Sequence, residues 1–261
     1  MDKKILWINP VGGTDFNDPI EEVLLDAKQS DTEVEVVSLA DKTGPKHLEY
    51  HFYEDLVMPE TLNIIKEAEK DGFDAAVIGC FYDPSLDTAR EITDEMAVVA
   101  PAESGMSLAT HLGDKFSIIV GRRKWIPQME ANVVKNGLKD RLASFRSVGL
   151  GVLEFHEDEE KTRRIIKEEA RKAVEEDNAE VIILGCTIQF GFYKVLQEEL
   201  GVPVIDSVVA PFKYAEFLSE LSKRFGWKHS KIGGYESPPS REIEEWNLVE
   251  DYASMKDVWS D

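Results

Sequence analysis

Two matching cysteines are the residues of this chain best suited to chemistry. The segment Asp74-Ala-Ala-Val-Ile-Gly-Cys80 is repeated as Glu180-Val-Ile-Ile-Leu-Gly-Cys186, 106 positions later, and the register holds through the next apolar run. The chain therefore contains an internal duplication with one thiol in each half. Two thiols that face one pocket can remove a proton from one side of a carbon atom and supply one to the other side.

A thiol acts as a base only after it loses its proton, and its ordinary pKa of about 8.5 leaves little thiolate at neutral pH. Cys80 is followed by Asp83 and Pro84, residue types favoured at the N-cap and the first position of a helix. We therefore expect a helix to begin here and to direct its N–H groups and positive dipole end at Cys80. The same N–H groups can stabilise an enolate oxygen. Cys186 precedes a second polar turn, in which Thr187 can donate a hydrogen bond.

An unreactive role in a buried strand is the alternative for both cysteines, because cysteine is among the most buried residue types. One cysteine alone would favour that role. The duplicated Gly-Cys pair, in a chain with no other cysteine, favours catalysis by Cys80 and Cys186.

Further candidates lie just beyond predicted strands, where parallel α/β sheets bind their ligands. Asn9 ends the first strand, Ser104 follows the fourth, and Arg122 follows the fifth. Their structural alternatives are a tight turn, a helix cap and a solvated charge, whereas in a pocket Arg122 would bind a carboxylate. With the neighbours of the cysteines included, the predicted substrate-binding residues are Asn9, Phe81, Tyr82, Ser104, Arg122, Thr187 and Ile188.

Motifs for cofactors and metals are missing from the sequence. The turn at 9–14 lacks the spacing of a dinucleotide-binding or phosphate-binding loop. The five histidines lack a zinc spacing, and no Gly-x-Ser-x-Gly elbow of an α/β-hydrolase is present. We therefore expect neither a bound nucleotide nor a metal.

Acidic residues dominate the charge of the chain. It has 30 Lys and Arg residues against 51 Asp and Glu residues, a formal net charge of −21. Such a charge repels phosphate backbones and anionic membranes, so we expect no nucleic-acid partner and no membrane partner. The sequence opens with a strand-like run and not a secretory signal, which favours the cytoplasm, where cysteines remain thiols.

Strand-like apolar runs alternate with helical periodicities along most of the chain. The predicted strands are Ile5–Asn9, Glu33–Ser38, Ala75–Cys80, Ala97–Ala100, Phe116–Gly121, Ser147–Leu153, Val181–Cys186 and Val202–Asp206. The predicted helices are Pro19–Gln29, Pro59–Asp71, Pro84–Glu95, Ser104–Leu112, Pro127–Asn136, Glu157–Asp177, Phe192–Leu200 and Ala210–Arg224. This alternation predicts parallel sheets, and the duplication favours two four-stranded lobes over an eight-stranded barrel. From Trp227 onward the pattern is lost, and an irregular strap is expected.

Five segments resemble the aspartate/glutamate/hydantoin racemase superfamily, most closely its hydantoin and allantoin racemase branch. These segments are Ile5–Pro10, Gly79–Glu91, Phe116–Val120, Leu184–Cys186 and Ser230–Glu242. The specific part is the Cys-x-x-Asp-Pro-x-Leu-Asp-x-Ala-Arg-Glu stretch that starts at Cys80, since a Leu-Gly-Cys alone would be weak.

The resemblance implies an α/β fold of two pseudosymmetric lobes, each with a four-stranded parallel sheet flanked by helices, and an active site in the cleft between them. Residues 1–100 and 211–261 would form the first lobe with its C-terminal strap, and residues 101–210 the second. Cys80 and Cys186 would flank the stereocentre as acid and base, with Asn9 in the pocket. The reaction would need no cofactor, and such enzymes commonly form homo-oligomers.

Two departures from the branch leave the substrate open. Thr187-Ile188-Gln189-Phe190 stands where the branch has small residues, and Gly121-Arg122-Arg123 where it has threonines. The sequence therefore predicts a racemase or epimerase of a 5-substituted hydantoin, allantoin or a related amino-acid derivative. The alternatives are an amino-acid racemase of the Asp/Glu type, a maleate-isomerase-like enzyme and a non-catalytic small-molecule-binding protein. The retained pair of cysteines argues against a decarboxylase of the superfamily.

Overall fold

The computed structural model describes residues 2–39 and 44–248. In chain order the strands of this part are β1 (Lys3–Gly12), β2 (Thr32–Leu39), β3 (Ala75–Ile78), β4 (Ala97–Val99), β5 (Phe116–Val120), β6 (Leu142–Ser147), β7 (Val181–Leu184) and β8 (Val204–Ile205). The α-helices are α1 (Asn17–Ala27), α2 (His51–Lys70), α3 (Leu86–Ile92), α4 (Pro101–Leu112), α5 (Ile126–Lys135), α6 (Glu159–Glu175), α7 (Tyr193–Leu200), α8 (Val209–Phe225) and α9 (Ser240–Glu245). Short 3-10 helices cover Arg123–Trp125, Lys139–Arg141, Val152–Glu154 and Thr187–Gln189.

The strands form two four-stranded sheets, in which every pairing is parallel. The strand orders are β2-β1-β3-β4 and β6-β5-β7-β8. In each sheet the second strand in chain order lies at an edge, beside the first. The duplication in sequence is therefore also a duplication in topology. The prediction of two four-stranded parallel sheets flanked by helices is confirmed.

The chain divides into two compact units. The first takes its described residues from Met1–Ile78, Pro84–Val99 and Phe212–Asp261, and the second consists of Gly79–Asp83 and Ala100–Pro211. Residues 79–83 thus belong with the second unit, although they follow β3 directly in the sequence.

The central strands form the core of each unit. In the first unit, Ile5, Trp7 and Ile8 of β1 have no exposed surface, and all of β3 is buried. In the second unit, every residue of β5 and β7 is buried. Helices on both faces of a parallel sheet explain why these strands are continuous apolar runs in the sequence.

The predicted strand Ser147–Leu153 is wrong. The strand in this region is β6, which ends at Ser147, and Val152–Glu154 is a 3-10 helix. All six residues of β6 are half-buried, because β6 is an edge strand that pairs with β5 alone. Its sequence therefore mixes polar and apolar residues and lacks the continuous run of a central strand. Gly149 has φ +78°, so the apolar segment after β6 turns.

Some helix ends also differ from prediction. Helix α2 begins at His51 and contains Pro59 in its interior, although a proline there removes one backbone hydrogen bond. The C-terminal strap includes α9, in which Arg241 and Glu245 form an ion pair one helical turn apart. The strap beyond residue 248 lies outside the described residues. The other predicted elements are present with ends shifted by a few residues.

Candidate active site

The turn that carries Cys80 is attached to the second unit by the side chain of Asp83. Its two carboxylate oxygens accept hydrogen bonds from the backbone N–H groups of Ala102 and Glu103, each at 2.8 Å. These N–H groups lie in the first turn of α4, so Asp83 caps α4. The expectation that Asp83 caps the helix after Cys80 is therefore wrong. That helix, α3, begins only at Leu86, and the side chain of its N-cap residue Ser85 makes no capping hydrogen bond.

The turn that carries Cys186 repeats the backbone geometry of the first. In the Cys80 turn, the N–H of Asp83 donates to the carbonyl of Cys80 at 3.0 Å. At the matching positions, the N–H of Gln189 donates to the carbonyl of Cys186, also at 3.0 Å. The duplication thus extends from the strands to the turns beyond them.

A hydrogen bond joins the two turns. The hydroxyl of Thr187 donates to the carbonyl oxygen of Gly79 at 3.1 Å. Since Thr187 follows Cys186 and Gly79 precedes Cys80, the two cysteine turns are in direct contact within the second unit. Both cysteines are thiols and half-buried, so solvent reaches each residue. The arrangement places two thiols on adjoining turns.

Gly185, which precedes the second thiol, has a steric reason to be glycine. A Cβ atom there would lie 2.7 Å from Cγ2 of Ile118 and 2.9 Å from the carbonyl oxygen of Ile119. Its N–H donates to that same oxygen at 2.8 Å. The close approach to β5 therefore fixes the backbone immediately before Cys186.

His156 and Asp206 also hold the Cys186 turn. The Nε2 atom of His156 lies 2.8 Å from the carbonyl oxygen of Ile188. Asp206 accepts a 3.3 Å hydrogen bond from the N–H of Gly191, and its other oxygen accepts from Val208 and Val209 at 2.7 and 3.1 Å. Burial raises the pKa of Asp206 above its ordinary value, and these N–H groups oppose the rise.

Sequence reasoning missed both of these residues. Asp206 had a local signal, because it ends a predicted strand directly before a helix and aspartate is a favoured N-cap residue. His156 had no such signal, since its partner Ile188 lies in a distant part of the sequence.

Most of the predicted substrate-binding residues lie in the unit that contains both cysteines. Phe81, Tyr82 and Ile188 are buried and lie within two positions of a cysteine in the sequence, and the carbonyl of Tyr82 accepts a 2.7 Å hydrogen bond from Asn132. Ser104 is buried in the first turn of α4. Thr187 and Arg122 are half-buried, Arg122 just beyond β5.

Asn9 lies in the first unit, within β1. It is buried, and its side-chain oxygen accepts a 2.8 Å hydrogen bond from the Trp7 indole. Its amide nitrogen donates to Asn17 at 2.7 Å, and Asn17 also accepts from Ser38. Asn9 is therefore held by a polar network of its own unit.

The described residues contain no group of three or more His, Cys, Asp or Glu side chains that could hold a metal ion. Within the same residues, no helix is both long and apolar enough to cross a membrane.

Comparison with known proteins identifies the family. Residues 5–215 match the sequence pattern of the family described as Asp/Glu/Hydantoin racemase. The chain belongs to this family. It is accordingly an isomerase of the racemase type, and racemases of this family act on small molecules.

The similarity to individual members covers nearly the whole chain. A hydantoin racemase from Pseudomonas sp. strain NS671 is 39% identical over 239 residues, which cover 92% of this chain and 93% of that protein. A hydantoin racemase from Paenarthrobacter aurescens is 34% identical, with 92% and 99% covered. The structure of an allantoin racemase from Klebsiella pneumoniae superposes with a TM-score of 0.83 at 28% identity, with 91% and 94% covered.

Proposed function

We propose that this protein is a cofactor-independent racemase of a 5-substituted hydantoin, allantoin or a related amino-acid derivative, and that Cys80 and Cys186 are its two acid/base residues. One thiolate removes the α-proton, and the thiol of the other cysteine protonates the opposite face of the carbon. A carbonyl next to that carbon takes up the charge as an enolate. The reverse reaction exchanges the roles of the two thiols.

The hydrogen bond between Thr187 and Gly79 is the observation that carries this proposal. It brings together the turns of two half-buried thiols that are far apart in the sequence. Proton transfer by two groups requires that both be held in fixed positions around one carbon atom. The matching turn geometry and the Asp83 cap on α4 supply that rigidity.

The relatives support the proposed substrate class. Two of them are hydantoin racemases and one structural relative is an allantoin racemase, so a cyclic ureide with an acidic α-carbon is the leading candidate. An open-chain amino acid is the second candidate, because Arg122 lies just beyond β5 in the same unit as the thiols and can bind a carboxylate.

The decisive experiment follows optical rotation and α-deuterium incorporation from single enantiomers in deuterium oxide without added cofactor. The substrates are several 5-substituted hydantoins, allantoin, aspartate and glutamate. We expect racemisation with deuterium incorporation for a cyclic ureide. Cys80→Ser and Cys186→Ser should each abolish racemisation, while each retains deuterium exchange from one enantiomer only. A single serine variant that racemises at the wild-type rate would refute the roles of the two thiols.

The proposal extends to the setting of the enzyme. We place it in the cytoplasm, supported by two cysteines that form no disulfide, and without nucleic-acid or membrane partners, supported by a net charge of −21. The homo-oligomer is proposed from the resemblance to the racemase branch alone. Light scattering coupled to size-exclusion chromatography tests the oligomer, and a mass of about 29.5 kDa would contradict it.

A further inference from the structure

His156 contacts the Cys186 turn and two phenylalanines that follow it. Its Nε2 atom lies 2.8 Å from the carbonyl oxygen of Ile188. Its ring stacks on Phe190, with centroids 4.8 Å apart and planes 25° apart, and on Phe192 at 5.9 Å and 18°. We propose that His156 is the positioning residue for Cys186, holding the turn Thr187–Gln189 so that this thiol, and not Cys80, keeps its direction during proton transfer.

The chemistry of the imidazole suits this role. A carbonyl oxygen only accepts hydrogen bonds, so Nε2 of His156 carries a proton and donates to Ile188. The Nδ1 atom faces the start of α6, where a carboxylate oxygen of Glu159 lies 3.3 Å away. The ring therefore binds the turn through a directional hydrogen bond at Nε2, and its opposite edge lies against the start of α6.

The two thiols are held by different devices. The Cys80 turn depends on the carboxylate of Asp83, which binds the first turn of α4. The Cys186 turn is held by the His156 imidazole, and the segment that follows it is also held by Asp206 through the N–H of Gly191. Loss of His156 should therefore weaken proton transfer at Cys186 while the geometry at Cys80 remains. This asymmetry separates positioning from general stability, and the inference rests on the proposed two-thiol racemase.

Three variants of His156 separate its contacts. His156→Phe keeps an aromatic ring for Phe190 and Phe192 but removes the donor to Ile188. His156→Gln keeps an N–H donor but removes the ring, and His156→Ala removes both. His111→Gln is the matched control, because His111 is exposed on α4 and contacts Ser107 of its own helix.

The first measurement is backbone hydrogen–deuterium exchange, which needs no substrate. We expect exchange at residues 186–192 to be at least tenfold faster in His156→Ala, with smaller increases in the Phe and Gln variants. Exchange at residues 80–83 should stay within twofold of wild type. Equal acceleration of both turns, or of neither, would overturn the assignment of His156 to Cys186.

The second measurement is the primary α-deuterium isotope effect on kcat/KM, taken for each enantiomer. Exchange by Cys80→Ser identifies the enantiomer that Cys186 deprotonates. In His156→Ala, the isotope effect should rise for that enantiomer, because removal of its proton becomes more rate-limiting. It should fall for the other enantiomer, whose C–H cleavage by Cys80 becomes reversible before the slow protonation by Cys186.

These outcomes distinguish the two proposals. Isotope effects that move in the same direction for both enantiomers would overturn the positioning role while racemase activity stands. A wild-type protein that racemises no substrate would refute the proposed function, and the exchange data would still decide whether His156 orders the Cys186 turn.

Discussion

The two copies of the repeat differ in which side chain caps the helix after the last strand. In the first copy, Asp83 comes from the cysteine turn and binds the N–H groups of residues 102 and 103. In the second copy, the matching N–H groups of residues 208 and 209 are bound by Asp206, at the end of the strand itself. The backbone requirement is the same, because the first N–H groups of every helix lack intrahelical partners. The sequence position of the acceptor is therefore not fixed by the repeat.

The different position of the capping side chain has a consequence for Gln189, which occupies the position of Asp83 in the second copy. Gln189 has no exposed surface, and both polar atoms of its side-chain amide lack a hydrogen-bond partner among the described residues. The second cysteine turn thus contains a buried amide without the capping function of its counterpart. Unsatisfied buried amides are destabilising.

The edge strands β4 and β8 also satisfy matching backbone N–H groups with different side chains. The N–H of Val98 in β4 donates to Nε2 of His229 at 3.0 Å. At the matching position in β8, the N–H of Val204 donates to the side-chain oxygen of Gln197 at 3.1 Å. One copy therefore protects its edge with a titratable group and the other with a neutral amide.

The largest expected effect comes from Gly185→Ala, which tests the backbone geometry that both cysteine turns share. The added Cβ would lie 2.7 Å from a side-chain carbon of Ile118. We expect a loss of about 3 kcal/mol in the free energy of unfolding. We also expect about a hundredfold loss of kcat/KM, because Cys186 is displaced. Urea unfolding and steady-state racemisation measure the two losses.

Gly105→Ala is the control for that change. Its Cβ would meet Cγ2 of Ile183 at an ordinary 3.4 Å, and alanine favours the helical backbone of α4. Stability and activity should stay close to wild type. Equal losses in the two variants would show that the approach of Gly185 to β5 is not the constraint.

The next effect separates the two caps. In Asp83→Asn, one of two accepting oxygens becomes a donor that faces a helix N–H, so we expect a loss of about 2 kcal/mol in stability. In Asp206→Asn, one oxygen can still accept from both Val208 and Val209, and only the longer 3.3 Å contact with the N–H of Gly191 is lost, so the change should be smaller, about 1 kcal/mol at pH 7. Denaturant midpoints measure both. Equal losses would contradict the different use of the carboxylate oxygens.

The dependence of stability on pH gives a second test of Asp206→Asn. The folded pKa of Asp206 is raised above 3.8, so its contribution to stability is present at low pH and is lost as pH rises through the folded pKa. Asp206→Asn lacks this titration. Its stability relative to wild type should therefore increase as pH rises above 3.8.

The different acceptors on edge strands β4 and β8 predict that acid reduces the stability of the first copy of the repeat through His229, with no counterpart in the second copy. Burial, together with Arg90 and Lys231, lowers the pKa of His229 from 6.5 to about 4. Its contribution to stability is thus present above pH 6.5 and is lost as pH falls through 4. The shift corresponds to about 3 kcal/mol, which partial exposure reduces to about 2 kcal/mol. Thermal unfolding between pH 4 and 7 measures the loss.

His229→Gln tests the cause, because glutamine supplies a neutral acceptor of the kind that Gln197 provides in the second copy. The variant should lose less stability than wild type between pH 6.5 and 4. Parallel pH curves for the two proteins would assign the acid loss to other groups.

The sequence was sufficient for the features that depend on local pattern. Buried central strands such as β3 and β7 appear as continuous apolar runs, and the duplicated Gly-Cys motif located both thiols. The sequence pattern misplaces edge strand β6, because an edge strand that is only half-buried lacks a continuous apolar run. Asp83 was recognised as a helix cap but assigned to the wrong helix, since its partners in α4 are nearly twenty residues away. His156 carries no local pattern at all, because its role arises from a tertiary contact.

The smallest expected effect is a gain of stability from a substitution in the core. It tests Gln189, which occupies the position of Asp83 but caps no helix. Gln189→Met replaces a buried amide, which has no hydrogen-bond partner in the part of the chain that the structure describes, by an apolar side chain of similar length. We expect the free energy of unfolding to increase by about 1 kcal/mol. Gln197→Met is the matched control, because it removes the acceptor of the Val204 N–H and should decrease stability by about 1 kcal/mol. Opposite signs in the two urea midpoints would show that the Gln189 amide serves no purpose in the fold. A loss of stability in Gln189→Met would instead mean that an ordered water satisfies the amide, and the second cysteine turn would then be as fully hydrogen-bonded as the first.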